Sequence, residues 1–397
     1  MALMPVDEAL SRILESARIL ASEAVALADC MGRILSQELK AKRNQPPFQS
    51  SAMDGYAVRF DDQHHALKLI GVSAAGHGFK GTVKAKQAVR ILTGAPLPKG
   101  ADTIVIQENV TLDGDHITVT EATALGRNIR AIGLDFMRGD SLIPAGTKLN
   151  ARDIGLAAAG NAATLRVRRK PRLVLFTTGD ELVLPGMRAR ADQIVSSNSH
   201  AITAMAQAWG AEVINLGIIP DTMKATMAAI KKAGNADILI TTGGASVGDH
   251  DYVQEALKRS GVKIGFWKIA LRPGKPLMFG TKDKLRVLGL PGNPVSALVC
   301  ARIFLKPLLA AMQGSLVDQQ PLQARLGSAL PANDGRQDYM RATLTTAPDG
   351  SRTVAVFGKQ DSSMQRTLRN ADCLIIREPN APEAALGTLV SILILDF

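Results

Sequence analysis

The sequence is poor in cysteine, aromatic residues and histidine, and each shortage removes a class of function. Cys30, Cys300 and Cys373 are its three cysteines. Their odd count and wide spacing fit neither a disulfide framework nor a thiolate metal site, and they predict buried thiols in a reducing compartment. Aromatic residues make up 4% of the chain, too few for the stacking platforms that single-stranded nucleic acid requires. The 6 histidines lie mostly in polar loops, with His64-His65 reading as solvated surface, and no Ser/His/Asp or Cys/His nucleophile arrangement is visible. Metal and electrostatic catalysis therefore come ahead of covalent chemistry. Residues 1–8 lack the basic-then-apolar pattern of a signal peptide, and no apolar stretch reads as long enough to cross a bilayer. A cytoplasmic protein with no membrane partner is expected.

What is present is an ordinary globular composition, 46% apolar and 21% charged, in a chain of 397 residues, long enough for several cores. Lys and Arg number 47 against 36 Asp and Glu, a net charge of +11 that suits anionic partners. Nucleic acid is the least attractive of these, because the basic residues are scattered. The one cluster, Arg166, Arg168, Arg169, Lys170 and Arg172, reads as a solvated strand edge or linker.

Along the chain the hydrophobic period changes four times. Residues 6–20 read as an amphipathic helix opened by Pro5, and residues 30–39 as a second, short helix. Pro46-Pro47 marks the exit from that layer. Residues 54–140 then break into short alternating runs (56–60, 66–73, 88–92, 103–107, 116–119) punctuated by Gly, Pro and Asp, as in a small all-β module. Residues 153–159 return to helix and are expected to pack on the N-terminal helices, which makes the β module an insertion. From residue 170, apolar runs alternate with helical ones: strands at 172–177, 212–218, 236–241, 263–269, 277–279 and 285–290, with helices at 199–209, 252–259 and 294–312. A further helix is N-capped by Asp221 and closed by Gly234. This alternation predicts a largely parallel sheet covered on both faces. Residues 321–397 read as all-β again, with strands near 342–346, 353–356, 372–376 and 388–393. The expected layout is a helical part at 1–45 completed by 141–169, an inserted β-rich domain at 46–140, an α/β domain at 170–318 and a β domain at 319–397.

In a parallel sheet, ligands bind beyond the carboxyl ends of the strands, so the loops leaving that edge matter most. One is Thr177-Thr178-Gly179-Asp180-Glu181-Leu182. The second, residues 242–252, reads Thr-Gly-Gly-Ala-Ser-Val-Gly-Asp-His-Asp-Tyr. The third is Leu290-Pro291-Gly292-Asn293-Pro294-Val295-Ser296. Glycine permits close backbone approach to an anion, so Gly179, Gly243, Gly244, Gly248 and Gly292 are candidate substrate-binding residues, with Thr178, Ser246, Pro291, Asn293 and Ser296 beside them. Many Gly-Gly turns bind nothing, and Asp221 is as readily a helix cap as a ligand. Carboxylates at Asp249 and Asp251 would repel a bare phosphate, but they suit a divalent cation held between carboxylates and a phosphorylated ligand. Lys268, Arg272 and Lys275 come off a strand end near the same edge and suit a phosphate or oxyanion, although Lys275 alone reads as a surface turn.

With these residues in place, the chain resembles the molybdopterin molybdenumtransferase family over essentially its whole length. The marks are residues 47–57, reading Pro-Phe-Gln-Ser-Ser-Ala-Met-Asp-Gly-Tyr-Ala, and Leu92-Thr93-Gly94-Ala95-Pro96-Leu97-Pro98. The three strand-end loops and Arg272-Pro273-Gly274-Lys275-Pro276 complete them. The resemblance implies an α/β molybdopterin-binding domain like that of MogA, an inserted β domain and a C-terminal β-barrel-like domain. It implies insertion of molybdate into adenylylated molybdopterin with release of AMP, dependent on Mg²⁺, in a homodimer. The implied site lies between the α/β domain of one subunit and the inserted domain of the other. By that resemblance Asp54, Asp135, Glu181, Asp221, Asp251, Lys268, Arg272 and Lys275 are catalytic, and Glu181, Asp221 and Asp251 hold the metal. Thr93, Arg341 and Ser362 join the substrate-binding set. Arg272 stands where the family commonly has lysine, and Asp361 precedes Ser362 where glycine is usual. A MogA-like adenylyltransferase and apo-molybdoenzymes are the implied partners. Two alternatives stand beside this: a gephyrin-like scaffold without catalysis, and an adenylyltransferase on the shared α/β domain.

Overall fold

The computed structural model describes residues 3–243, 252–315 and 321–397. The chain divides into two compact units. The first comprises Met1–Glu23, Gly32–Ile34 and Arg168–Phe397, and the second Ala24–Met31 and Leu35–Val167.

The first unit is built on a six-stranded sheet: β1 (Arg172–Thr178), β2 (Glu212–Ile219), β3 (Ile238–Thr242), β4 (Lys263–Trp267), β5 (Met278–Lys282) and β6 (Leu285–Leu290), in the order β2-β1-β3-β6-β5-β4. The first four strands in that order run parallel, and β5 turns back antiparallel between β6 and β4. The period of two explains the doubly covered sheet. Leu173 and Leu175 enter one core with Ile238 and Ile240, while Val174 and Phe176 enter the other with Leu239. Helices α1 (Asn198–Ala208) and α2 (Met223–Lys232) lie on opposite faces, Ile202 and Met205 in the first core and Ala229 and Ile230 in the second. Helix α3 (Tyr252–Arg259) joins α2, burying Val253, Ala256 and Leu257. The N-terminal helix is shorter than its pattern suggests, Val6–Glu15, and its Val6, Ala9 and Ile13 stripe belongs to the first core.

Two expectations fail here. The Pro294–Met312 run, against expectation, is long and apolar enough to cross a membrane, and most of it is buried inside the body. Its two basic residues, Arg302 and Lys306, both pair with Asp396, and its apolar side chains fill the first core, so it is a core helix. The cap of α2 is Thr222, whose hydroxyl accepts from the Ala225 amide at 3.2 Å; Asp221 is one residue too early and is left free of that duty.

Residues 322–394 close a five-stranded barrel from Leu322–Leu326, Gln337–Thr346, Arg352–Val356, Cys373–Arg377 and Leu389–Ile394, around Leu326, Ala342, Val354, Ile375 and Ile392. Leu271–Arg272 pairs in parallel with Gln337 and Asp338, stitching the loop after β4 to the barrel.

The second unit carries a six-stranded sheet formed by Gly55–Val58, Leu67–Ser73, Gln87–Ile91, Thr103–Ile106, Val110–Asp113 and His116–Val119. Helix Ala151–Ala159 is opened by a capping box between Asn150 and Asp153 and packs in a separate core with Cys30, Leu35 and Val167. The helix expected at 30–39 is absent. Gly32 adopts a left-handed φ of 74°, and the chain runs on extended to a strand at Leu39–Lys40 paired with Ser141–Ile143.

The Arg169 guanidinium is not solvated surface. It forks onto Asp237, both bonds 2.7 Å, while the Arg172 amide donates to the same carboxylate at 2.8 Å. Burial raises the Asp237 carboxyl, but the Arg169 and Arg172 bonds outweigh it and hold the carboxyl below its ordinary value. The stability it contributes is therefore full above the ordinary aspartate range and is lost as pH falls through the depressed value. Asp237→Asn should cost about 2–3 kcal/mol at pH 7, discounted from a fully buried pair because Arg169 is partly open to water. Urea unfolding should show the difference shrinking towards pH 3.

Candidate active site

At the carboxyl edge of the parallel strands lies a cleft of about 650 Å³. Each strand end contributes: Thr178, Gly179 and Glu181 after β1, Asp221 after β2, Gly243 after β3, and Pro291, Gly292, Asn293 and Ser296 after β6. These loops stand close because glycine allows it. Gly243 sits at φ 83°, and a Cβ there would lie 2.3 Å from the Thr178 carbonyl oxygen. Beneath them the Thr242 hydroxyl donates to Thr177 Oγ1 at 2.9 Å in the buried base of the loops. The Asn198 side-chain amide donates to the Gly292 carbonyl at 2.7 Å, tying the start of α1 to the third loop.

The acids gather on one part of the cleft. The Asp221 amide donates to Asp180 Oδ1 at 3.3 Å. Burial first, then the neighbouring Asp180 charge and more weakly that of Glu181, push the Asp221 carboxyl above its ordinary value. Among the described residues no group of three or more His, Cys, Asp and Glu side chains is disposed to hold a metal. Gly244, Ser246, Gly248 and Asp251 lie outside the described residues.

The basic strip is distributed differently from its sequence pattern. Arg272 donates to Asp338 at 2.9 and 2.6 Å, to Asp334 at 2.9 Å and to Asn333 at 3.0 Å, so its fork is engaged by the barrel. Lys268, at a left-handed φ of 70°, lays its ammonium over the Trp267 ring, 4.1 Å from the centroid. Lys275 is exposed. None of the three is a lining residue of the cleft, whereas their neighbour Pro276 is.

From the barrel side, Asn293 donates to the Ser362 hydroxyl at 3.0 Å and the Val295 amide to the Ser362 carbonyl at 3.0 Å; the adjacent Ser363 lines the cleft. Arg341 is 1% exposed, and burial holds its guanidinium below its ordinary pKa. It bonds the Gln360 side chain at 3.1 Å and the Met364 carbonyl at 3.4 Å, bracing the loop that carries Ser362. In the second unit, Asp54 Oδ1 accepts from the Thr93 amide at 2.7 Å and hydroxyl at 2.8 Å, which hold its exposed carboxyl below the ordinary value. Asp135 is exposed there, and its amide donates to the Gln45 carbonyl at 2.9 Å.

Three family models match the chain in order: the MoeA N-terminal region (domain I and II) over residues 4–160, the "Probable molybdopterin binding domain" over 174–311, and the MoeA C-terminal region (domain IV) over 323–395. A Molybdopterin molybdenumtransferase of Haemophilus influenzae is 35% identical, covering 98% of each chain. The chain belongs to the molybdopterin molybdenumtransferase (MoeA) family. A Nostoc relative of the same name is 37% identical over 81% of this chain and 77% of its own. A solved molybdopterin biosynthesis MoeA protein from Pyrococcus horikoshii superposes with a TM-score of 0.87 at 26% identity, covering 100% of both chains.

For a MoeA-family chain, the strand-end cleft coincides with the domain matched as molybdopterin-binding. Among the lining residues that escaped sequence reasoning are Ile194, Val195, Ser196, Ser197 and Asn198, the last three from the polar run Ser196-Ser197-Asn198-Ser199 that opens α1, and Ser363 from the barrel. The polar run carries no distinct signal in the sequence, since serine and asparagine at a helix start are ordinary capping residues. Because the folded-state pKa of Asp221 is raised, its ionisation costs stability as pH rises above the ordinary aspartate range. Asp221→Asn should therefore melt at the same temperature as wild type or a few degrees higher at pH 7.5, with the gap closing near pH 3. A lower melting temperature at pH 7.5 would contradict the strained carboxylate.

Proposed function

We propose that this chain inserts molybdenum into molybdopterin, a step of molybdenum cofactor biosynthesis. The observation that carries the reading is its end-to-end match, 98% of both chains, to a relative named for that transfer. The cleft built from every parallel strand end supports it. The adenylyltransferase alternative gains no support, because the match extends well outside the α/β domain, and the scaffold alternative gains none, because the full-length relatives carry a transferase's name.

The finer reading concerns substrates and metal. We take the substrates to be adenylylated molybdopterin and molybdate, with AMP as the leaving product. Gly179 and Gly243 let the backbone approach the pyrophosphate, and the net charge of +11 favours the approach of both anions. Lys275 offers an exposed ammonium to molybdate, and Lys268 a half-buried one. Mg²⁺ fits the acid corner, because an Asp221 carboxylate crowded by Asp180 and Glu181 is eased by a dication, and Mg²⁺ needs only one or two carboxylates beside substrate phosphates. Glu181 and Asp221 would hold it, with Asp251 as a third candidate. Held there, it would supply positive charge to the pyrophosphate.

Asp54, Thr93 and Asp135 act, on this reading, on the site of a second copy in a homodimer. Three buried cysteines, none of them in a disulfide, suit a cytoplasmic setting. The partners are then a MogA-like adenylyltransferase that supplies substrate and apo-molybdoenzymes that receive product.

Purified protein with adenylylated molybdopterin, Mg²⁺ and molybdate should release AMP in a molybdate-dependent way. Asp54→Ala and Glu181→Ala should each lower that rate about 100-fold or more while still folding. After subunit exchange, the two inactive variants mixed together should recover about a quarter of wild-type activity, as two-fold symmetry with a shared site requires. Tight substrate binding without turnover by wild type would overturn the enzyme reading. A mixture that stays inactive although heterodimers form would overturn the shared site.

A further inference from the structure

One wall of the cleft offers hydrogen bonds that the described residues do not complete. Ser196 is 3% and Asn198 7% exposed, yet the Ser196 hydroxyl and the Asn198 Oδ1 have no partner among the described residues. Unsatisfied polar atoms at that depth are costly unless a ligand or an ordered water completes them. The Asn198 side-chain nitrogen is committed to the Gly292 carbonyl at 2.7 Å, which leaves its oxygen as the end without a partner among the described residues. An acceptor oxygen repels phosphate and molybdate and calls for an N–H donor.

The same wall has an apolar face. Leu182–Val183 and Ile194–Val195 form a short parallel ribbon, fastened by the Ile194 amide to the Glu181 carbonyl and the Ser196 amide to the Val183 carbonyl, both 2.8 Å. Ile194 and Val195 line the cleft while remaining 60% and 50% exposed. Exposed β-branched side chains beside a neutral acceptor and a hydroxyl suit a flat ring with apolar faces and a polar edge.

We propose that Ser196, Asn198 and the Ile194–Val195 ribbon form the subsite for an amino-substituted nitrogen heterocycle. A ring N–H or amine donates to Asn198 Oδ1, Ser196 bonds a ring nitrogen or carbonyl, and the ring face lies on Val195 and Ile194. The acids at Glu181 and Asp221 are thereby left to the phosphate end. This rests on the function proposed above, whose substrate carries two rings of this chemistry, the pterin and, in the adenylylated form, the adenine.

Titration calorimetry on the full chain tests it with three probes: AMP, molybdopterin, and pyrophosphate as the ringless control. Ser196→Ala, Asn198→Leu and the surface change Val195→Asp should each weaken one ring probe by about tenfold or more and leave pyrophosphate within about twofold. The probe that weakens names the ring. Val195→Asp keeps the test open if Asn198→Leu misfolds through loss of its bond to Gly292. Unchanged affinity for both rings, equal loss for pyrophosphate, or no binding of either ring by wild type overturns the subsite. In the molybdenum-insertion assay the same variants should raise KM for the pterin substrate. Variants indistinguishable from an active wild type would defeat the subsite alone. An inactive wild type whose ring binding is still lost in the variants would defeat the function reading alone.

Discussion

The close approach of Gly243 to the Thr178 carbonyl is the contact on which the cleft depends. With any side chain at residue 243 the loops after β1 and β3 would be forced apart, since a Cβ there meets backbone oxygen at 2.3 Å, and backbone cannot swing aside as a side chain can. The Thr177–Thr242 hydroxyl bond beneath and the Asn198–Gly292 bond beside it hold three loops on one edge. Everything chemical at the site inherits its position from that edge: the acids after β1 and β2, the Asn293 turn after β6, and the start of α1.

Charge is the second organising constraint. The chain is strongly basic, yet the cleft's own titratable lining, Glu181 and Asp221, is acidic. Asp221 is kept free for this by the one-residue displacement of the α2 cap to Thr222. A carboxylate pushed up by burial and by a neighbouring carboxylate is a local instability, of the kind concentrated at functional sites.

The barrel is bound to the α/β core by polar contacts rather than by apolar burial alone. Arg272 engages Asp334, Asp338 and Asn333, and Ser362 receives Asn293. Arg341 and Gln360 are locked reciprocally, Gln360 accepting from Arg341 and donating to its carbonyl at 3.0 Å. The 360–365 segment is thus held rigidly where Ser363 can face the cleft. An arginine in place of lysine at residue 272 suits this role, because a planar fork bonds two carboxylates and an amide together, which a single ammonium does less well.

Local periodicity was enough to read the architecture. The uninterrupted apolar run Leu173–Phe176 specifies a strand buried on both faces, the 3.6-residue spacing in Tyr252–Arg259 specifies α3, and glycine-rich turns after strands mark the ligand edge. The bounds of His116–Val119 and Leu285–Leu290 were legible to the residue, because turn-forming residues flank both. The helix expected at 30–39 was not, because one glycine at positive φ outweighs a weak local preference. What only the tertiary structure decided was the allocation of partners. That Arg272 faces Asp338, that Arg169 faces Asp237, and that Ser196 and Asn198 are buried with bonds unfilled depends on residues far apart in the chain. A sequence pattern carries the direction a side chain takes from its own backbone; which atom waits at the other end is settled when the strands are brought together.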